Sequence, residues 1–216
     1  MAIKSNSKPK KVKKIDNKKS IKELEKKLIR ISLEIAKKGE GGLFVIGDKI
    51  NYAKLLKQKL EPFNAFDSGA DKILLTIAMI DGAVIINKKG DVLDYGALIK
   101  NSKPFIGFGT RHAAAITASE GNNIAILCSE EEKKVKIFKN GKYIMQLDAL
   151  SKNINNEVST ATTILETIGA GFLGTLGAAT LVPAVGITLI PGVIVFGGSY
   201  LAIKSLLNLH KGSEKK

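Results

Sequence analysis

The 216-residue sequence predicts an α/β fold, a mixed-sheet domain flanked by helices and followed by a C-terminal helical hairpin. Three observations carry that prediction. Short apolar runs bounded by Gly, Asn and Asp turns are interleaved with stretches of helical period, which indicates strands and helices in one layered domain. Charge and hydropathy are segregated, because a formal net charge of +14 coexists with a mean hydropathy of +0.07. Finally, the 37 residues from Thr167 to Ile203 contain no charged side chain. With 44% hydrophobic residues, wholesale disorder is excluded. Cys128 is the single cysteine, so no internal disulfide forms. One Cys and two His cannot build a zinc cluster or a haem attachment site. No internal repeat is visible.

Residues 1–19 hold eight lysines and one acid, Asp16, a local charge of +7. No apolar stretch follows, so this is not a secretory signal peptide. Its scarcity of apolar surface predicts a disordered basic tail. Such a tail solubilises, or is drawn to an anionic membrane face or to nucleic acid. Near a charged bilayer each basic residue contributes roughly 1 kcal/mol.

Residues 20–155 read as the central domain. Ser20-Ile21-Lys22-Glu23 has the form of a capping box opening a helix. Ile21, Leu24, Leu28, Ile31 and Ile35 then recur three and four apart, one apolar stripe with lysines opposite. Lys37, Lys38 and Gly39 supply a C-terminal signal. Leu43–Ile46 predicts a buried strand, a turn follows at Gly47-Asp48, and 51–60 predicts a second helical stretch. Residues 70–79 form another apolar helix leading through Ile80-Asp81-Gly82-Ala83 into the strand Val84–Ile86. Asn87–Asp91 makes a hairpin loop, with the return strand starting at Val92-Leu93. A helix near Arg111–Glu120, a strand Ile124–Cys128 and a strand Val135–Phe138 follow. A turn at Asn140-Gly141 then leads to a last short strand or helix start.

Residues 160–206 are the predicted hairpin, and 207–216 a second basic tail. As one straight helix, the uncharged run would extend about 55 Å, nearly twice a ~30 Å hydrocarbon core. Pro183, Gly186 and Pro191-Gly192 offer turns between arms at roughly 163–182 and 187–205. Ala170, Gly174 and Ala178 have the small-xxx-small spacing of close helix pairs. Lysines flank both ends, which places both termini in the cytoplasm if the hairpin spans the cell membrane. A buried helical pair and a re-entrant hairpin are the competing readings.

Three local features bear chemistry. Asp81-Gly82-Ala83 joins an apolar helix to an apolar strand, and alone reads as a turn. Gly107-Phe108-Gly109-Thr110-Arg111-His112 runs from a glycine-flexible loop into a helix. Free backbone N–H groups at such a start, with a guanidinium beside them, suit phosphate, although helix starts with a cation are common. Ser129-Glu130-Glu131-Glu132 ends a strand with carboxylates able to hold Mg2+ or Mn2+ beside a triphosphate, or to form a solvated turn.

The order DGA, GTRH, SEE across residues 22–150, with the strand GGLFVI before it, resembles the diadenylate cyclase domain family. The resemblance implies synthesis of cyclic di-AMP from two ATP by a face-to-face homodimer or higher homo-oligomer. It implies Asp81 as activator of the ribose 3′-OH and Gly82-Ala83 as a close backbone approach. Leu98, in Tyr95-Gly96-Ala97-Leu98, is implied as the adenine contact. Thr110, Arg111 and His112 are implied as the triphosphate cradle, Ser129 as a hydroxyl, and Glu130 or Glu131 as metal ligands for Mg2+ or Mn2+. The sequence departs from the family at Ala113, where the second arginine of RHR is missing, and at Ile80, where many members have histidine. The alternative is therefore a nucleotide-sensing membrane protein with a degenerate cyclase domain, and a third possibility is a basic membrane protein of structural role. In this setting the basic tail and hairpin point to membrane lipid rather than nucleic acid.

Overall fold

Alternation of side chains along the strands divides the interior into two cores, one on each face of a single sheet. The computed structural model describes residues 17–57, 61–102, 109–169 and 187–189. Its helices are α1 (Asn17–Lys37), α2 (Ala70–Ala78), α3 (Thr110–Ala118) and α4 (Ile154–Gly169). Its strands are β1 (Gly42–Ile46), β2 (Tyr52–Lys54), β3 (Ala83–Ile86), β4 (Val92–Ile99), β5 (Ile124–Ser129), β6 (Lys134–Lys139), β7 (Lys142–Asp148) and β8 (Ile187–Leu189). They form one sheet in the order β2-β4-β3-β1-β5-β6-β7-β8. Among these described strands β1 and β3 pair in parallel and all other neighbours are antiparallel, so the sheet is mixed.

Phe44, Ile46, Val84, Ile86, Ile126, Val135 and Ile137 belong to one core with Leu24 and Leu28 of α1, Leu74 of α2 and Val158 and Leu165 of α4. Leu43, Val45, Ala83, Ile85, Ala125, Leu127 and Phe138 belong to the other, with Ala115 and Ala118 of α3. Each fully buried Leu or Ile contributes roughly 1.5–3 kcal/mol. The small alanines of α3 let that helix lie close to the sheet.

The stripe predicted for the first helix is in place, with Leu24, Leu28, Ile31 and Ile35 buried. The buried face is wider than the stripe and takes in Glu25, Ile29, Ser32, Leu33 and Ala36, because α4 packs on α1 as well as the sheet does. Lys22 and Glu166 tie the two helices at 2.7 Å. Beneath them Glu25 is only 3% exposed. Burial pushes its carboxyl up to about 7, with Lys139 opposing. Burial likewise pushes the Lys139 ammonium down, and its Nζ donates to the Leu165 carbonyl at 3.1 Å.

Four expectations are corrected. The first helix starts at Asn17, so Ser20 is inside it rather than capping it, and Asn17–Lys19 are helical rather than part of a disordered tail. The stretch 51–60 holds a strand, β2, whose Tyr52, Ala53 and Lys54 face Ile99, Leu98 and Ala97 of β4, and residues 58–60 lie outside the described residues. Non-local pairing overrides the local helical propensity of this lysine- and leucine-rich stretch. Residues 163–169 of the expected first hairpin arm are the end of α4, with Ile164 and Leu165 buried in the domain. Ile187–Leu189, at the start of the expected second arm, is a strand against Leu147, Gln146 and Met145 of β7. Among the described residues no helix is long and apolar enough to cross a membrane. The remainder of the expected hairpin, 170–186 and 190–206, and both basic tails apart from Asn17–Lys19 lie outside the described residues.

Glu25 gives the fold a pH signature. Its carboxyl keeps a proton to about pH 7 when folded, against an ordinary value of 4.5. The folded state therefore binds more protons in that window, and its contribution to stability falls as pH rises from 4.5 towards 7. The slope is at most about 1.4 kcal/mol per pH unit. Glu25→Gln keeps the shape and removes the slope. Urea midpoints at pH 5, 6 and 7 check this, and parallel pH dependences in both proteins would rule Glu25 out as the source.

Candidate functional site

The registers on either side of β1 bring the chemistry-bearing turns to one end of the sheet. Phe44 stands beside Val84, so the start of β1 lies next to Gly82-Ala83. Gly42 faces Cys128, so Ser129 and the acidic turn after it continue to the level of Gly41. With strands spaced about 5 Å apart, the Asp81 turn and the acidic turn flank β1 about 10 Å from each other.

Asp81 is exposed at the end of α2, and its Oδ1 accepts from the Gly82 N–H at 3.0 Å. Two close approaches fix where this turn emerges. A Cβ on Gly42 would lie 2.9 Å from the Ala78 carbonyl oxygen, so the end of α2 rests directly on β1. A Cβ on Gly82 would lie 2.6 Å from the Gly96 carbonyl carbon and 2.8 Å from the Ala97 nitrogen, and Gly82 has φ +98°. The space over Gly82 is thus filled by β4 itself, which by itself requires a glycine here. Gly96 has φ +56° and sits where β4 carries one residue more than β3, between the pairs Ala83–Ala97 and Ile85–Asp94. Bulges of this kind re-aim side chains beside functional sites. Ala83 is buried, whereas Leu98 is 52% exposed on β4 opposite Ala53.

Across β1, α3 begins at Thr110 after Gly109, and no side chain caps it. Its first N–H groups are therefore donors for an anion. Gly107 and Phe108 lie outside the described residues. Arg111 Nη1 lies 3.4 Å from Glu130 Oε2, and a Cβ on Gly41 would lie 2.0 Å from that same nitrogen. Gly41 makes the berth in which the guanidinium lies, a role that no spacing rule in the sequence exposes. His112 is half-buried, with Nε2 3.0 Å from Lys136 Nζ and its ring edge-on to Phe138. Burial first, then Lys136, holds His112 below its ordinary value, with Glu132 opposing. Lys136 also contacts Glu132. The sequence reading missed Lys136, although its alternation with Val135 and Ile137 places it on the α3 side with Phe138.

Ser129 is the partly buried last residue of β5, and Glu130 and Glu131 are exposed. Among the described residues no group of three or more His, Cys, Asp or Glu is arranged to hold a metal ion. Two carboxylates, one already engaged by Arg111, suit Mg2+ or Mn2+ carried on a ligand's phosphates, which takes only one or two protein carboxylates. Ala113 is buried, so that position brings no cation. Cys128 is buried with its thiol pushed up to about 12, which leaves it inert.

An uncapped helix start with an arginine beside it and an exposed aspartate thus lie at the same end of the sheet, on either side of one strand, an arrangement that suits an anionic ligand. The family model described as "DisA bacterial checkpoint controller nucleotide-binding" matches residues 32–143, and the chain belongs to that family of diadenylate cyclase domains. It is 31% identical over 138 residues to a diadenylate cyclase of Methanocaldococcus jannaschii, covering 57% of this chain and 45% of the relative. It is 29% identical over 142 residues to a diadenylate cyclase of Haloferax volcanii, covering 56% of this chain and 51% of the relative. The matches thus span about half the length of each curated relative. A solved structure of a DacA double mutant from Staphylococcus aureus is 19% identical with a TM-score of 0.45, covering 67% of this chain and 97% of that one.

The two glycines predict opposite outcomes. Gly82→Ala sets a Cβ into backbone at a left-handed φ, and a loss of about 1–3 kcal/mol is expected in thermal or urea unfolding. Gly41→Ala meets only the far end of a flexible side chain, so stability changes by less than about 1 kcal/mol while Arg111 is displaced. Weaker binding of inorganic triphosphate by a folded Gly41→Ala protein is the expected readout, and unaltered binding would separate Gly41 from the site.

Proposed function

We propose that this domain condenses two ATP into cyclic di-AMP with release of two pyrophosphates. The observation that carries the reading is the exposed Asp81 carboxylate set across β1 from the uncapped start of α3 and Arg111, in a chain of this family. One domain offers one such carboxylate and one such berth. Two domains meeting face to face would hold two ATP, each 3′-OH opposite the other's α-phosphorus.

In that arrangement Asp81 accepts the proton of the 3′-OH as the O3′–Pα bond forms. The bond from Pα to the pyrophosphate oxygen breaks in line, and the second transfer closes the ring. The first N–H groups of α3, Thr110, Arg111 and His112 hold the triphosphate, and Ser129 adds a hydroxyl. Leu98 lies against the adenine. Glu130 or Glu131 would hold Mg2+ or Mn2+, which would supply neutralisation of phosphate charge.

A second reading has support of its own. Ala113 brings no cation and Arg111 is shared with Glu130, which suits a domain that binds nucleotide without turning it over. The uncharged run Thr167–Ile203 and the lysines around it support contact with an anionic membrane face.

Asp81→Asn keeps the shape and removes the base. Formation of cyclic di-AMP from ATP with Mn2+ is expected to fall roughly a hundredfold or more, with ATP binding retained. Product at the wild-type rate would dismiss Asp81 as the base, and saturable binding without product in the wild type would favour the sensor. Fractionation of the full chain against a version ending at Gly169, which keeps α4 whole, tests the membrane. The full chain is expected with membranes and the shorter version without, whereas identical distributions refute the contact.

A further inference from the structure

Lys136 reaches from β6 into the space beneath α3, and its side chain is only 5% exposed. A lysine so placed is costly unless its charge is paired. Its ammonium has two partners, the Glu132 carboxylate and His112 Nε2 at 3.0 Å. An ammonium bound to a carboxylate is protonated and carries donors only. The imidazole nitrogen facing it must therefore accept. A neutral ring that accepts at Nε2 carries its proton on Nδ1.

We infer that Lys136, anchored by Glu132, is a positioning residue that fixes His112 as the neutral Nδ1–H tautomer, so that the start of α3 gains a proton donor rather than a second cation. The Phe138 ring stands nearly perpendicular to the imidazole, with centroids 6.4 Å apart, and Tyr143 stacks on Phe138 at 4.9 Å. Charged and titratable groups reach His112 from several elements of the described chain. Lys136 comes from β6 and Glu132 from the turn between β5 and β6, while Arg111 with its partner Glu130 is the neighbour along α3. The Tyr143 phenol, from β7, is pushed up by burial and by Glu132, and stays neutral.

The arrangement explains how a histidine in a basic chain serves a phosphate ligand without titrating near neutral pH. Burial and Lys136 both oppose its protonation, with Glu132 opposing them, so the ring takes up a second proton at lower pH than a free imidazole does. The effect on turnover rests on the cyclase reading, whereas the tautomer belongs to the protein alone.

The test is 15N NMR of the imidazoles in the full chain, which has two histidines, so His210→Gln assigns them. Wild-type His112 is expected as Nδ1–H. In Lys136→Met it is expected to change towards Nε2–H, with its titration midpoint raised because one of the opposing causes is gone and Glu132 remains. Lys136→Arg is expected to restore Nδ1–H. A wild-type ring that is Nε2–H or charged at pH 7.5 overturns the inference without any variant, and so does an unaltered tautomer in folded Lys136→Met. For cyclic di-AMP synthesis, Lys136→Met is expected to lower kcat/KM by about tenfold or more, as loss of an orienting partner does, with the acidic limb of the pH profile moved upward. Should the tautomer behave as expected while wild-type protein makes no cyclic product from ATP, the positioning stands and the cyclase reading falls.

Discussion

The pairing of β1 with β3 on one side and β5 on the other is the constraint on which the rest of the molecule depends. A shift of one residue in either register would turn each strand's inward side chains to the opposite face. It would also separate the Asp81 turn from the acidic turn that now flanks the same strand end. The all-buried β1 leaves no polar side chain to tolerate such a slip. Two covered faces, one under α1, α2 and α4 and one under α3, hold the register from both sides.

Buried charge is placed with the same economy. Glu25 and Lys139 sit where α1 and α4 meet the sheet, each shifted towards its neutral form by burial. Lys136 is buried too, but beside a carboxylate and an imidazole, so its charge is directed at a neighbour. An ion pair of this kind, with its lysine buried and its carboxylate at the surface, is weak evidence for stability, and its use lies in orientation. The two groups differ in what faces them: backbone and a helix pair in one case, the start of α3 in the other.

Much of this was legible in sequence because the period was strong. The stripe of α1 and the buried runs of β1, β3 and β5 follow from apolar spacing, the helix after Gly109 follows the glycine-flexible loop, and the turn at Asn140-Gly141 does join two strands. What failed was what distant chain decides. Tyr52-Ala53-Lys54 is a strand because β4 lies beside it, and nothing within 51–60 says so. The wide buried face of α1 required knowing that α4 returns to it. At the site, the residue types of the Asp81 turn, the α3 start and the acidic turn were readable, whereas the berth at Gly41, the backbone closed over Gly82 and the lysine beneath His112 exist only in three dimensions.

The bridge between Lys22 and Glu166 has a mechanical meaning as well. It joins the beginning of α1 to the end of α4 beside Ile46, Lys88, Ile124 and Lys139, the far ends of the central strands. β8 also runs away from the motif end, from Leu147 towards Met145. The chain therefore enters the domain, and leaves it after Gly169 and again after Leu189, directed at the end opposite the chemistry. The points where the described chain breaks off after Gly169 and after Leu189 are thus set apart from the turns that carry Asp81 and Arg111.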